Sequence, residues 1–174
     1  MRRVEVVPYD PQWVARFEEE ADRLNRLFEG EMVAIHHIGS TSVPGLDAKP
    51  IIDIMPVVRM IEQVDELTGH MEALGYRSFG EHGIPRRRFF AKGDDVRTVH
   101  VHVFEAGDEG VTRHLAFREY LKAFPDVRET YAALKRALAE QHPTDIESYI
   151  QGKQEWVSET ERVATIWYMA EQTK

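Results

Sequence analysis

Ile51 to Val58 constrains the fold more than any other stretch of the chain. It reads Ile51-Ile52-Asp53-Ile54-Met55-Pro56-Val57-Val58, an apolar run with a single carboxylate inside it. A short run of this kind predicts a buried strand, and a buried strand requires a sheet around it. Residues 97–105 predict another strand: Val99, Val101 and Val103 alternate with His100, His102 and Phe104. Met32 to Ile38 and residues 87–92 predict two more, and 76–79 a short one. Gly93-Asp94-Asp95 carries the composition of a hairpin turn.

Helices flank these strands. Asp10-Pro11 supplies a cap and a first-turn proline, and Trp13, Phe17, Ala21, Leu24 and Phe28 then recur on one face until Gly30. Residues 60–74 predict a second helix, with Ile61, Val64, Leu67, Met71 and Leu74 on one side. From Glu109 onward the chain reads as helical, with segments at 111–123, 126–141, 144–151 and 153–172 punctuated by Pro125, Pro143 and Gly152. The order predicts an α+β plan: residues 1–108 form a mixed sheet with helices, and 109–174 form a helical tail. A length of 174 residues suits one domain.

Charge and composition narrow the function. Lys plus Arg is 22 against 30 for Asp plus Glu, a net charge of −8. That balance argues against a nucleic-acid strand or a membrane surface as partner, but allows a local basic site. The chain has no cysteine, so disulfides, thiolate metal sites and cysteine nucleophiles are excluded. Neither a leader segment nor an apolar stretch of bilayer length is evident, and the expected location is cytoplasmic.

Four groups of residues could carry chemistry. Gly39-Ser40 closes a strand, where backbone N–H groups and a hydroxyl can hold phosphate, and Asp53 follows inside the apolar run. A buried carboxylate needs a partner, either a metal ion or a nearby Arg or Lys. His100 and His102 are two apart on a strand and share a face, which suits a metal, a phosphate, proton transfer or a simple hydrogen-bonded pair. Arg86-Arg87-Arg88 and Lys92 suit phosphate oxygens or a solvated strand edge, with Arg86 and Arg88 expected on one face. In the helical tail, Arg118, Lys135, Tyr149 and Lys153 either converge on a phosphate or are surface charges beside core aromatics. His37, next to the Gly-Ser turn, is a further candidate. His70, His82, His114 and His142 read as surface or packing residues.

Several motifs resemble the signature of the GrpB family. They are His37-Ile38-Gly39-Ser40-Thr41-Ser42-Val43-Pro44-Gly45-Leu46, Lys49-Pro50-Ile51-Ile52-Asp53-Ile54, Arg87-Arg88-Phe89-Phe90-Ala91-Lys92-Gly93 and His100-Val101-His102-Val103. Tyr9-Asp10-Pro11-Gln12-Trp13, Phe117-Arg118-Glu119-Tyr120-Leu121, Tyr131-Ala132-Ala133-Leu134-Lys135 and Tyr149-Ile150-Gln151-Gly152-Lys153 continue the resemblance in order. It implies a nucleotidyltransferase-like mixed sheet flanked by helices. It further implies that Gly39, Ser40 and Thr41 hold a triphosphate and that Asp53 binds metal, Mg²⁺ in the superfold. The superfold places a second carboxylate two residues on, where this chain has Met55, a poor ligand for Mg²⁺. His100 and His102 would then complete an altered catalytic metal site, open to Mn²⁺ or Zn²⁺.

The function expected on this resemblance is transfer of a nucleoside monophosphate from a nucleoside triphosphate to a small acceptor. Lys49, Arg87, Arg88, Lys92, Arg118, Lys135 and Lys153 would contact phosphate. The alternatives are a non-catalytic module that binds a nucleotide or a nucleotide-containing coenzyme, and a metal-dependent phosphohydrolase.

Overall fold

The computed structural model describes residues 2–174. Its elements in chain order are α1 (Gln12–Leu27), β1 (Met32–Ile38), a 3-10 turn (Ser40–Ser42), β2 (Ile52–Val58), a 3-10 helix (Ile61–Leu67), α2 (Thr68–Ala73), β3 (Tyr76–Ser78), β4 (Arg88–Lys92), β5 (Val99–Glu105), α3 (Glu109–Ala123), α4 (Pro125–Gln141) and α5 (Ile146–Gln172). The five strands form one mixed sheet in the order β1-β2-β5-β4-β3. Only β2 and β5 run parallel. The long crossover between them carries the 3-10 helix, α2 and the β3–β4 pair, as parallel neighbours require.

Strand parity sorts the side chains onto two faces. Ile52, Ile54, Val58, Val99, Val101 and Val103 pack with Trp13, Leu24 and Phe28 of the α1 region and with Val64 and Met71. On the opposite face Ile38, Met55, Val57 and Phe104 meet Val111 and Leu115 of α3. Gly110 lets α3 seat there: a Cβ at Gly110 would lie 2.5 Å from the Phe104 ring. The helical tail also clamps the loop after Gly39, because Val43 and Leu46 pack on Leu121, Tyr131 and Ala132.

Several boundaries differ from the sequence reading. The 60–74 helix is a 3-10 helix followed by the short α2. Its apolar residues Ile61, Val64 and Leu67 are three apart, the repeat of a 3-10 helix. The segments 144–151 and 153–172 are one helix, because Gly152 does not break it. That glycine lets α5 cross α4 closely; a Cβ would stand 2.4 Å from Leu138 Cδ2. Arg86 is not in a strand. Its φ of 65° places it in the turn before β4, where it reaches Glu62 and Glu105.

One polar cluster lies inside the α1 face. Glu20 is buried and accepts from Tyr76 Oη at 2.6 Å, Lys92 Nζ at 2.7 Å and Arg23 at 2.7 Å. Burial would raise its pKa, but the bonds from Lys92, Tyr76 and Arg23 outweigh burial and hold it below 4.5. A depressed carboxylate adds stability above its unfolded pKa and loses it as pH falls through the folded value. Glu20→Gln is expected to lose about 2–3 kcal/mol at pH 7. The gap in urea midpoint between the two proteins should close as pH drops below 4.5; a gap independent of pH would contradict this account.

Candidate active site

The register of β1, β2 and β5 brings the distant motifs together. Ile38 pairs with Asp53, and Asp53 pairs with His100, so the strand ends lie side by side. Parity then turns Asp53, His100 and His102 toward α3 and α5. His102 Nε2 donates to Asp53 Oδ1 at 3.0 Å, and His100 Nδ1 lies 3.6 Å from the same oxygen. One ligand atom from each of the three lies within 4.8 Å of the others. Burial pushes the Asp53 carboxyl up, but the two imidazoles outweigh it and hold the carboxylate ionised well below its usual range. Phe89 of β4 closes this corner, edge-on to both imidazoles at 5.2 Å.

Gly39 turns the chain over Asp53. Its φ is +73° and ψ −174°, a conformation that belongs to glycine, and a Cβ there would lie 2.5 Å from Asp53 Oδ2. Ser42 Oγ bonds the Gly39 carbonyl. Buried Thr41 has its Oγ1 2.9 Å from His37 Nε2. His37 is stacked on Phe17 of α1 at 4.8 Å, and burial lowers it to a pKa of about 4. It braces the turn from the α1 side.

Three lysines gather on the other side of Ser40. Lys135 Nζ of α4 is 2.8 Å from Ser40 Oγ and sits over the Tyr131 ring at 4.4 Å. Lys49 and Lys153 flank the Tyr149 ring at 5.1 and 5.0 Å. Burial first, then the Lys153 charge, lower Lys135 to about 6 and Lys49 to about 8. Lys153 is raised: burial opposes its charge, but the phenol oxygens of Tyr131 and Tyr149 more than offset it. None of the three has an ion-pair partner among the described residues.

The lysines line a recess of about 250 Å³ with Ser40, Asp53 and His100. The recess meets a cleft of about 860 Å³ between the sheet and α3 and α5 at Ser40, Asp53 and Lys153.

The structure therefore gathers Gly39, Ser40, Thr41, Lys49, Asp53, His100, His102, Lys135, Tyr149 and Lys153 at the two cavities and places Arg87, Arg88, Lys92 and Arg118 elsewhere. Arg88 and Lys92 point to the α1 face, because Phe89 and Ala91 occupy the site face. Arg88 pairs with Asp65 at 2.8 Å and Lys92 with Glu20. Arg87 is buried, donates to the carbonyls of Glu81 and His82, and covers Phe89. Arg118 holds the His37 carbonyl and Glu119, which fixes the end of β1. Met55 shares the Asp53 face but is buried in the Phe104 cluster.

Three residues at the cleft were not proposed for the site by sequence: His114, read as a surface or packing residue, and Arg113 and Glu161. His114 is in its wall, 5.5 Å from the His102 ring, and burial lowers it to about 3. Arg113 and Glu161 pair across α3 and α5 at 3.2 Å. The only signal for them was helical spacing, such as His114 with Phe117, which core packing produces equally often.

Residues 3–162 match the family model described as GrpB protein. The Bacillus subtilis protein YqkA is 49% identical over 166 residues, 95% of this chain and 48% of YqkA, so the chain spans about half of that relative. A Mycolicibacterium paratuberculosis protein named dephospho-CoA kinase is 29% identical, over 94% of this chain and 46% of its own length. Among solved structures, the conserved protein GrpB from Enterococcus faecalis superposes with a TM-score of 0.91 at 42% identity, covering 95% of this chain and 99% of that one. The Cid1 poly(U) polymerase bound to MgATP gives a TM-score of 0.53 at 11% identity, over 78% of this chain and 44% of Cid1, a likeness of fold alone.

Proposed function

The chain belongs to the GrpB family, and we propose that it is a nucleotidyltransferase-like protein that binds a nucleoside triphosphate beside the Gly39-Ser40 turn and passes its nucleoside monophosphate to a small acceptor. The carrying observation is the set of one buried lysine, Lys135 at Ser40, and two half-buried ones, Lys49 and Lys153, lining the same recess with no ion-pair partner among the described residues. Cations gathered in a recess are unfavourable unless an anion of several charges enters. The name of the Mycolicibacterium relative, a kinase of a coenzyme precursor, is compatible with a nucleotide-containing ligand.

On this reading Ser40 and the three lysines hold the phosphates, and the lysines neutralise charge on departing pyrophosphate. The acceptor enters by the wide cleft and meets the α-phosphate near Asp53. One carboxylate oxygen and two imidazole nitrogens fit a divalent ion, Mn²⁺ or Zn²⁺ in preference to oxygen-seeking Mg²⁺. Bound there, such an ion would polarise phosphoryl oxygens. Met55 favours a second reading, a nucleotide- or coenzyme-binding module without catalysis, because it leaves the site one carboxylate short.

Incubation with each nucleoside triphosphate and Mg²⁺, Mn²⁺ or Zn²⁺ separates them. Release of pyrophosphate supports transfer, release of inorganic phosphate alone supports hydrolysis, and tight binding without turnover supports the module. Failure of any nucleotide to bind overturns both nucleotide readings.

Binding should also be pH-dependent. A polyphosphate raises the pKa of Lys135 from about 6 and of Lys49 from about 8. Binding then takes up protons, and affinity falls as pH rises from 6 through 8. Titration calorimetry in buffers of different ionisation enthalpy should give net uptake at pH 7.5; net release would contradict the lysine assignment.

A further inference from the structure

The Ser40–Lys135 contact has a chemical meaning separate from phosphate binding. Lys135 is 1% exposed. The charged and titratable groups facing it are Lys153 from α5, Lys49 and Asp47 from the loop before β2, Asp53 from β2 and Tyr131 one turn back on α4. Burial first, then the charge of Lys153, favours the neutral amine. A neutral amine has a lone pair, and the same 2.8 Å contact then runs from the Ser40 hydroxyl to nitrogen.

We propose that Ser40 and Lys135 form a serine–lysine dyad, with Ser40 a nucleophile toward carboxylic esters of small apolar acids. Ser40 suits the role by position. It follows the Gly39 bend at a strand end and lines both the recess and the wide cleft. The cleft beside it has an apolar wall of Ile38, Ile84, Phe117, Val157 and Ile166 that would take the acyl group. Serine is a weak nucleophile unless an adjacent base removes its proton, and lysine serves as that base when it is neutral.

The step balances without a co-reactant. Ser40 Oγ attacks the ester carbon while its proton passes to Lys135 Nζ. The tetrahedral oxyanion collapses, the C–O bond to the alcohol breaks, and Lys135 returns the proton to the departing alkoxide. Water then repeats the sequence on acyl-Ser40 and releases the acid. The charge of Lys153, at the junction of the two cavities, favours the oxyanion. An entering polyphosphate would protonate Lys135, so nucleotide and ester compete.

The test uses the full chain, 4-nitrophenyl acetate and no nucleotide or metal. Its failure therefore leaves the nucleotide reading standing, and the reverse also holds. Nitrophenolate release should accompany one acetyl group mapped to Ser40 by peptide mass spectrometry. The rate should fall ~100-fold or more in Ser40→Ala, the usual scale of general-base loss. Lys135→Arg keeps a long nitrogen-bearing side chain at this position but is always protonated and has no basic lone pair, so it should fall as far. The wild-type rate should rise with pH through the Lys135 ionisation and then level. An acetyl group on Lys135 or elsewhere, no adduct at all, or a Lys135→Arg variant as fast as wild type would each overturn the dyad.

Discussion

Asp53→Asn is expected to remove both metal binding and nucleotidyl transfer while leaving the fold in place. Asparagine keeps the size of the side chain, so the packing under Gly39 is retained. The charge that gathers His100 and His102 is lost. An amide oxygen is a much poorer ligand than a carboxylate for a divalent ion, and two imidazoles alone make a weak site. Affinity for Mn²⁺ or Zn²⁺ should fall at least ~100-fold, and pyrophosphate release ~10³-fold, the scale on which removal of a charge-stabilising group acts. Metal titration of the purified protein and a pyrophosphate assay measure the two effects, with circular dichroism to check folding. Unchanged metal affinity would sink the metal site, whatever happens to the rate.

Gly39→Ala should produce a large stability loss for a single added methyl group. Two causes add at this residue. The backbone holds φ +73° with ψ −174°, a region that a side chain destabilises by about 1–3 kcal/mol. The added Cβ would also lie 2.5 Å from Asp53 Oδ2 and 3.0 Å from its Cβ and Cγ. Asp53 cannot retreat without breaking its contacts with His100 and His102. A total of about 4 kcal/mol is expected, at the high end for point substitutions. Gly107→Ala is the control, since its φ of +90° is strained but nothing stands within 4 Å of the new carbon. It should lose only about 1 kcal/mol. Urea midpoints measure both, and equal losses at the two glycines would show that the close approach to Asp53 has no energetic weight.

The fold was legible in sequence where burial and period coincide. The alternation at 97–105 and the apolar run at 51–58 predicted β5 and β2, because a buried strand leaves no freedom of side-chain type. Gly152 misled for a definite reason. A glycine marks either a helix end or a close helix crossing, and only the position of Leu138 tells which.

The site was legible in part. His100 and His102 share a face by parity, and Gly39-Ser40 followed by Asp53 stood out as an anion and metal motif. Arg88 and Lys92 belong to the same motif as Arg87 and fell on the other face. Parity within β4 sets Arg88 and Lys92 opposite to Phe89 and Ala91, but the face that counts is fixed by Phe89 standing opposite His102. That register is set between strands, and no local pattern encodes it.

The sequence by itself determined most of the strands and helices, the absence of thiol chemistry and the side-chain types that could meet a phosphate or a metal. These follow from local period and side-chain type. Tertiary structure alone decided which of those residues meet. Lys135 reaches Ser40 from 95 positions away, and Lys92 is drawn off by Glu20 from 72. Pairings over such separations depend on how the sheet register and helix packing bury charge, and that energy exists only once the chain has closed.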